Sequence, residues 1–225
     1  MSAAVSFVIP ILDEQDAVAS LLRYLRAGFP AAELIVVDGG SADRSVSRAM
    51  GLCDQLLLAE RGRALQMNLG GRVASADYVF FLHADSRPSL TAAQLAAYLA
   101  RQPQWGFCRV RLSGTRPVFR LIESSMNLRS RLTSVATGDQ MLFLRRELLA
   151  STGGFDAIAL MEDVAYCKRL RRLAQPLVIE QPVITSSRRW EAHGVAATIA
   201  RMWCLRLGFF LGVSPARLWR SYYGQ

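Results

Sequence analysis

Cysteine is scarce in this sequence, and its spacing excludes two common uses of the residue. Cys53, Cys108, Cys167 and Cys204 form no CxxC pair and no metal-ligand pattern. We therefore expect neither a zinc cluster nor a disulfide framework, but reduced packing residues in a cytosolic protein. The first ten residues also lack the basic leader of a secretory signal, which likewise predicts a cytoplasmic location.

Lysine is nearly absent, whereas arginine is abundant. Lys168 is the only lysine among 27 basic residues, and the formal net charge is +9. Two explanations stay open: an arginine-rich coding bias, or an anionic partner such as a phosphate group, a nucleic acid or a lipid surface. From residue 188 to the end there are six arginines and one glutamate, so this tail carries +5 of the net charge.

The composition is that of a globular chain, with 52% apolar and 20% charged residues over 225 positions. This length is sufficient to bury a sizeable core. We see no internal repeat and no low-complexity linker. The simplest organisation is a single domain over residues 1–190, followed by a helical extension over residues 191–225.

The first half of the chain alternates short β-branched runs with helical patterns. This alternation predicts a mostly parallel α/β sheet with helices on both faces. Ser41 is expected to cap the second helix. The predicted strands are Val5–Ile11, Glu33–Gly40, Asp54–Ala59 and Asp77–Leu82, and the clearest helices are Ala17–Ala27 and Ala64–Ala74.

The second half is less regular. We expect strands at "WGFCRVRLS" and "GDQMLFLRR" and a helix over "PVFRLIESSMNLRSRL". A further helix, Glu162–Leu173, has acids in its first turn and bases in its last, as the helix macrodipole favours.

Polar residues and glycines follow each of the four predicted strands of the first half. Because ligands of open α/β sheets bind beyond the carboxyl ends of the strands, these residues should meet at one edge. Any one acid could instead cap a helix, but four successive polar strand ends favour a nucleotide site, with arginines offsetting phosphate charge. The residues are Asp13, Glu14, Asp38, Arg61, Arg63, His83 and Asp85.

His83 and Asp85 follow the fourth strand in the segment "FLHADS". A hard cation such as Mg²⁺ or Mn²⁺ takes carboxylate oxygens and shares its coordination shell with substrate phosphates. Asp85 is therefore a candidate metal ligand. His83 either adds an imidazole ligand, contacts phosphate, or is a hydrogen-bonded residue at the rim, and the sequence leaves these open.

Six motifs occur in order along the chain: "FVIPILDEQ", "LIVVDGGSADRS", "RGRALQMNLG", "FLHADSRP", "TGDQMLFLRRELLASTGGFD" and "MEDVAYCKRLRR". Together they resemble family-2 glycosyltransferases with the GT-A fold, over about residues 5–190. The segments "RGRALQMN", "FLHAD" and "SSRRW" are most similar to the arsenosugar-biosynthesis-type branch of that family.

The resemblance implies a role for individual residues on the donor side. Asp85 would be the carboxylate of the family's Asp-x-Asp metal motif, although His83 replaces its first acid here. Arg188 and Arg189 would contact the donor diphosphate. The residues implied to bind the donor nucleotide are Pro10, Leu12, Glu14, Asp38, Arg63, His83 and Arg189.

On the other side of the reaction, Asp163 of "MEDV" matches the catalytic base, with Glu162 beside it. The segment Gly138–Gln140 resembles the acceptor-side motif, which makes Asp139 and Gln140 candidates. Trp190 belongs to an Arg-Trp element that closes over the donor or shapes the acceptor site. Its alternative role is simple packing on the protein body.

The function implied is inverting, metal-dependent transfer of a sugar from a nucleotide-diphosphate sugar, a UDP-sugar being favoured, to a hydroxyl acceptor. Such transfer needs a carboxylate base and a cation, Mn²⁺ or Mg²⁺, at the departing diphosphate. A nucleotidyltransferase is an alternative, but it usually needs a basic, glycine-rich loop where this chain has "PILDEQ". A non-enzymatic basic module ranks last, and no nucleic acid is expected, because acids cluster at the strand ends.

The stretch Val195–Val213 is long and apolar, but Arg201 and Arg206 within it argue against a membrane span. Ile199, Met202, Trp203 and Phe210 fall near one helical face. A helix of this kind could lie in a membrane interface, as a peripheral contact on the inner face of the cell membrane. Packing on the catalytic domain, or on a second subunit in a homodimer, is equally compatible with the pattern.

Overall fold

The computed structural model describes residues 4–223, apart from the side chains of Arg189, His193 and Tyr223. Its centre is an eight-stranded sheet with the order β3-β2-β1-β4-β7-β6-β8-β5. The strands are β1 (Val5–Ile11), β2 (Glu33–Asp38), β3 (Gln55–Leu58), β4 (Tyr78–Phe81), β5 (Ser86–Pro88), β6 (Trp105–Leu112), β7 (Phe143–Arg145) and β8 (Leu177–Thr185).

Helices surround this sheet, and a short 3₁₀ turn, Gly138–Gln140, precedes β7. The helices are α1 (Val18–Gly28), α2 (Ser45–Ala49), α3 (Arg63–Val73), α4 (Ala92–Leu99), α5 (Pro117–Thr133), α6 (Arg146–Thr152), α7 (Glu162–Leu170), α8 (Arg188–His193), α9 (Val195–Phe210) and α10 (Pro215–Tyr223).

The four strands predicted in the first half are parallel, as the alternating pattern requires. In register, Asp38 lies opposite both Ile11 and Leu58, so the ends of β1, β2 and β3 are level with one another. β4 runs alongside β1 in the same direction. The polar residues that follow these strands therefore meet at one edge, as expected. Antiparallel pairing is confined to β7, with β4 and β6, and to β5, with β8.

The sheet is covered on both faces. Phe7 and Ile9 of β1 pack with α1 and α4, whereas Val8 between them packs on the opposite face with α3, α6 and α7. This alternation follows from the two-residue repeat of a strand. Because both faces are buried, the strands are continuous apolar runs in the sequence rather than alternating ones.

Two sequence predictions, one for Ser41 and one for the segment "GDQMLFLRR", are wrong. Ser41 caps no helix, because α2 begins only at Ser45 and the Ser41 hydroxyl donates to Asp38. The segment "GDQMLFLRR" is not one strand, because its first three residues form the 3₁₀ turn and Met141 has a left-handed backbone with φ 46°. Only Phe143–Arg145 is extended.

The C-terminal helices pack on the domain. Leu205 of α9 and Leu218 of α10 are buried in the same apolar cluster as Tyr166 of α7. Met202 also packs inward, which corrects the prediction that it shares a face with Trp203, whose side chain is 74% exposed. Within residues 4–223, none of the helices has the length and apolarity needed to cross a bilayer.

Candidate active site

The loops that follow β1 and β2 are joined by hydrogen bonds at the carboxyl edge of the sheet. The Asp13 N–H donates to Ser41 Oγ at 2.9 Å, and the Ala42 N–H donates back to Asp13 Oδ1 at 2.8 Å. The Glu14 N–H donates to Ser45 Oγ at 2.7 Å. Glu14 is therefore held by the neighbouring loop, in a fixed position above the ends of both strands.

Asp38, at the end of β2, stabilises the turn that follows this strand. Its side chain is 1% exposed, and Oδ2 accepts N–H bonds from Gly40 at 2.9 Å and from Ser41 at 3.0 Å. Its carboxylate therefore stabilises the glycine turn, and little of the side chain is left exposed for contact with a nucleotide. Pro10, near the end of the adjacent strand β1, and Leu12, just after it, are half-buried at the same edge.

Glu14 lies in a mixed field of carboxylates and arginines. Burial raises its pKa first, the negative charge of Asp85 raises it further, and the positive charges of Arg188 and Arg63 act in the opposite direction. The loops after β1 and β4, together with the starts of α3 and α8, thus place two carboxylates and two guanidinium groups near one another. Such an arrangement suits a ligand that combines phosphates with a cation.

His83 contacts the 3₁₀ turn. Its Nδ1 lies 3.4 Å from Asp139 Oδ1, and its buried Nε2 has no hydrogen-bond partner among the described residues. A Cβ placed on Gly138 would lie 2.5 Å from Nε2, so the ring fits only because residue 138 is glycine. These contacts favour a role for His83 in shaping the turn, next to the Asp85 carboxylate.

Asp163 is fixed by two backbone groups. Gly138 N–H donates to Oδ2 at 2.7 Å, and Val164 N–H donates to Oδ1 at 2.7 Å. The first bond joins the start of α7 to the 3₁₀ turn that also contacts His83. The residue predicted as base and the residues predicted on the metal and acceptor sides are therefore brought into one cluster.

Glu162 precedes Asp163 and is buried, with 5% of its surface exposed. Burial raises its pKa to about 7, the Asp163 charge contributes in the same direction, and Arg63 partly offsets both. Glu162 is therefore only partly ionised near neutral pH. Asp163 is half-buried and is thus the more exposed carboxylate of the pair.

Left-handed backbone conformations at non-glycine residues concentrate around this cluster. Asp13 (φ 55°), Met141 (φ 46°) and Met161 (φ 68°) lie directly beside Glu14, the 3₁₀ turn and Glu162, respectively. Each such conformation costs on the order of 1 kcal/mol or more and is retained where a site requires it. Their positions support the assignment of this edge as the functional one.

Two of the predicted site residues are placed differently, and a third cannot be located. Gln140 is fully buried, and its amide accepts from Ser130 Oγ at 2.7 Å, so it holds the turn rather than facing open space. Trp190 packs with Phe119 in a small apolar cluster against α5, which is the packing alternative. The Arg189 side chain lies outside the described part of the chain.

A divalent cation is implied by the resemblance, and the residues present fit one kind of site. No group of three or more His, Cys, Asp or Glu side chains within residues 4–223 could hold a metal on its own. Asp85, with the Glu14 carboxylate in its field, offers hard oxygen ligands beside Arg63 and Arg188. This suits an ion that takes one or two carboxylates and completes its shell with substrate phosphates.

Other residues of the site are not apparent from local patterns. Gln66 of α3 is buried and donates to the carbonyls of Ile11 at 2.8 Å and Val37 at 2.9 Å, which ties the helix to both strand ends. Arg129 of α5 and Arg206 of α9 interact electrostatically with Asp163. Gln66 lies within the motif "RGRALQMN", but the sequence assigns it no role, and no short motif marks Arg129 or Arg206, because their partners are distant in the sequence.

Comparison with protein families gives a match over residues 6–147 to the model described as glycosyl transferase family 2. A comparison with curated proteins gives no match.

Three solved structures with a similar fold are compared with this chain. S. aureus TarS superposes with a TM-score of 0.67 at 17% identity, over 82% of this chain and 60% of that one. The mannosyltransferase PcManGT from Pyrobaculum calidifontis, solved with GDP-Man and Mn²⁺, gives 0.62 at 21% identity, over 92% and 61%.

Glucosyl-3-phosphoglycerate synthase from Mycobacterium tuberculosis, solved with Mn²⁺, UDP and glucosyl-3-phosphoglycerate, gives 0.58 at 19% identity, over 81% of this chain and 71% of that one. At these identities the similarity is one of fold, and it confirms the predicted GT-A architecture. The chain spans only 60% of the TarS structure that it matches.

Proposed function

We propose that the protein transfers a sugar from a nucleotide-diphosphate sugar to a hydroxyl group of an acceptor. The premise is that the chain belongs to glycosyl transferase family 2. The observation that carries the proposal is the position of Arg63. Its charge acts on Glu14, at the donor end of the cluster, and on Glu162, beside the base Asp163. In a sugar transfer, the departing diphosphate and the attacking hydroxyl must both lie close to the same sugar carbon. One guanidinium group near both Glu14 and Glu162 fits that requirement. The family match favours this activity over the nucleotidyltransferase alternative.

The donor is assigned to the edge formed by β1, β2 and α3. Pro10, Leu12, Glu14 and Asp38 would surround the base and ribose, and Arg63 and Arg188 would face the diphosphate. Similar folds have been solved with UDP, UDP-GlcNAc and GDP-Man. Of these donors we propose a UDP-sugar. Arg189 is assigned to the same diphosphate from its sequence motif alone.

A divalent cation, Mn²⁺ or Mg²⁺, would be held by Asp85 together with the donor phosphates. When bound, it would stabilise the negative charge of the departing diphosphate. His83 would support this edge through its contacts with Gly138 and Asp139 rather than as an established ligand.

The transfer is proposed to be a single displacement with inversion. Asp163 accepts the proton of the acceptor hydroxyl while the hydroxyl oxygen bonds to the anomeric carbon, and the bond from that carbon to the diphosphate breaks. Glu162 lies buried beside this base, where burial, and then the Asp163 charge, raise its pKa to about 7. Asp139 lies at the acceptor side of the same turn, Gln140 maintains that turn, and Trp190 shapes the side formed by α5.

Three further assignments complete the proposal: the domain boundary, the branch of the family and the membrane contact. Residues 1–190 form the catalytic domain and residues 191–225 its extension. From the motifs "RGRALQMN" and "FLHAD" we assign the chain to the arsenosugar-biosynthesis-type branch. The exposed apolar face of α9 makes peripheral contact with an anionic membrane, and a homodimer through that face is the alternative outcome.

Calorimetric titration with UDP, GDP and CDP, each with Mg²⁺ or Mn²⁺ and then with EDTA, tests the donor and metal assignments. We expect one nucleotide to bind, and its affinity to fall at least about tenfold with EDTA, because the Asp85 edge holds the cation only together with phosphates. The cation titrated alone should bind more weakly than in the presence of that nucleotide. Binding of none of the three would contradict the proposed function.

A further inference from the structure

A small cleft opens between α3 and α6. Its volume is about 250 Å³, and two arginines line it: Arg72 from the last turn of α3, and Arg146, the first residue of α6. The Leu149 side chain and the turn Gly153–Gly154 also line it. The cleft thus combines an apolar wall, a glycine turn and two positive charges.

Contacts within the protein give the cleft its shape. A Cβ on Gly71 of α3 would lie 2.5 Å from Leu149 Cδ2, so the two helices approach this closely because residue 71 is glycine. Asn68 of α3 binds the segment after α6, since its Nδ2 donates to the Phe155 carbonyl at 2.8 Å and the Phe155 N–H donates to its Oδ1 at 2.8 Å. Both walls are therefore held together without a ligand.

The two arginines of the cleft have no acidic partner within the described part of the chain. There, no carboxylate oxygen lies within 4.0 Å of an Arg72 or Arg146 nitrogen. Arg146 is instead fixed by the backbone: its Nε donates to the Ala76 carbonyl at 3.2 Å, and its N–H donates to the Asp77 carbonyl at 2.9 Å. No bond from an Arg146 Nη atom to another described residue accompanies these two.

Charge of one sign in a concave surface favours an anion. Low-dielectric walls focus the field of such charges and raise the local concentration of counter-ions. Guanidinium donors match the oxygens of a phosphate, and a phosphate ester carries close to two negative charges at neutral pH, which balances Arg72 and Arg146 together. The volume is below the roughly 300 to 1,000 Å³ of sites for drug-sized ligands, so it suits a phosphate on a small body.

This cleft is separate from the proposed donor site. Arg63 begins α3 and Arg72 lies in its last turn, so about 13 Å of helix axis separates them, at about 1.5 Å per residue. None of the described residues assigned to the donor, the metal or the base lines the cleft. The donor diphosphate therefore does not account for Arg72 and Arg146.

We propose that this cleft binds the phosphate group of a small molecule, with Arg72 and Arg146 as its hydrogen-bond donors. The proposal goes beyond sugar transfer and does not depend on the assignment of the donor site. A soluble phosphate ester and a phospholipid headgroup both carry such a group, and the test below separates the two sources.

Inorganic phosphate is the first probe, titrated calorimetrically into full-length protein with and without saturating UDP and Mg²⁺, which occupy the proposed donor site. We expect Arg72→Gln and Arg146→Gln to bind phosphate at least about tenfold more weakly than the wild type, because each removes charge-assisted hydrogen bonds. Arg48→Gln in the last turn of α2 and Arg23→Gln on α1 remove exposed arginines elsewhere and should bind phosphate like the wild type.

A second pair of variants changes only the charge of the cleft. Ala150 is an exposed residue of α6 that lines the cleft. Ala150→Glu places a carboxylate there, one helical turn from Arg146, and should weaken phosphate binding at least about tenfold through like-charge repulsion. Ala150→Gln has nearly the same shape without the charge and should retain most of the binding. Melting curves of every variant show whether a loss of binding is a loss of folding.

Phosphatidylcholine vesicles with and without phosphatidic acid are the second probe. Loss of inorganic phosphate binding in Arg72→Gln and Arg146→Gln assigns the cleft to a soluble phosphate, whereas loss of phosphatidic-acid binding alone assigns it to a lipid headgroup. Equal binding by the wild type and both variants with both probes, or no binding by the wild type to either, overturns the proposal. Failure of UDP, GDP and CDP to bind would count only against the donor assignment, because the variants are also compared without nucleotide.

Discussion

The carboxyl group of Glu162 links pH to the stability of this protein. Its pKa in the folded state is about 7, above the ordinary value of 4.5, so its stabilising contribution is complete below pH 4.5 and is lost as pH rises through 7. Glutamine does not ionise, so the Glu162→Gln variant does not lose this stability as pH rises. We expect Glu162→Gln to be more stable than the wild type by about 1 to 3 kcal/mol at pH 8, with the advantage vanishing near pH 4.5.

Urea unfolding of both proteins at pH 4.5, 6 and 8 measures this difference. A control is Glu180→Gln, since Glu180 is an exposed acid at the surface of β8. A stability difference between Glu162→Gln and wild type that stays constant with pH would contradict the shifted titration.

Asp163 is the residue on which catalysis is proposed to depend. Its carboxylate is fixed by the Gly138 and Val164 N–H groups, and an asparagine in its place would keep an acceptor oxygen but could not take up a proton. Asp163→Asn should therefore lower transfer by at least about a hundredfold while nucleotide affinity stays within about threefold. Turnover assays and calorimetry on the same preparation check both numbers, and simultaneous loss of nucleotide binding would count against the base assignment.

At the scale of the element, the 3₁₀ turn Gly138–Gln140 connects the residues proposed for the metal, acceptor and base sides of the site. A Cβ at position 138 would lie 2.5 Å from two atoms of the His83 ring, so Gly138→Ala must displace that ring and disturb the bond to Asp163. We expect a loss of transfer activity of at least about tenfold with a cost in stability of about 1 to 3 kcal/mol.

The matched control is Gly28→Ala at the end of α1, where no atom lies within 4 Å of the added Cβ. That variant should retain wild-type activity and stability. Wild-type activity in Gly138→Ala would show that the ring and turn adjust freely, and that the turn does not connect the parts of the site.

The elements that the sequence predicts well are those in which local pattern and tertiary environment agree. The sequence predicts β1 over its full length, because its apolar run ends where polar residues begin at the sheet edge. The 3₁₀ turn is not apparent in the sequence, because it is held by hydrogen bonds with the distant residues Asp163 and Ser130. The electrostatic effect of Arg129 and Arg206 on each other is not apparent either, because α5 and α9 are far apart in the sequence.

At the scale of the whole molecule, charge and apolar surface coincide at the C-terminus. From residue 192 onward the chain has four arginines and no acidic residue. The outer face of α9 exposes Trp203 and Phe210, with 74% and 77% of their surface accessible. On the neighbouring α5, Leu128 and Leu132 are also exposed. An apolar surface bordered by positive charge is suited to the interface of an anionic bilayer.

Substitutions on the surface test this contact better than truncation does, because removing α9 and α10 would take Leu205 and Leu218 out of the core. We expect full-length protein to float with vesicles of phosphatidylcholine and phosphatidylglycerol. The triple variant Trp203→Ser, Leu207→Ser, Phe210→Ser should partition into these vesicles at least about tenfold more weakly, because each of the three side chains buries apolar area in the interface. Met50→Ser with Leu58→Ser, which are exposed apolar residues elsewhere, should float like the wild type. Unchanged flotation of the triple variant would contradict membrane contact, and light scattering that shows a dimer becoming a monomer would assign the face to a second copy of the chain.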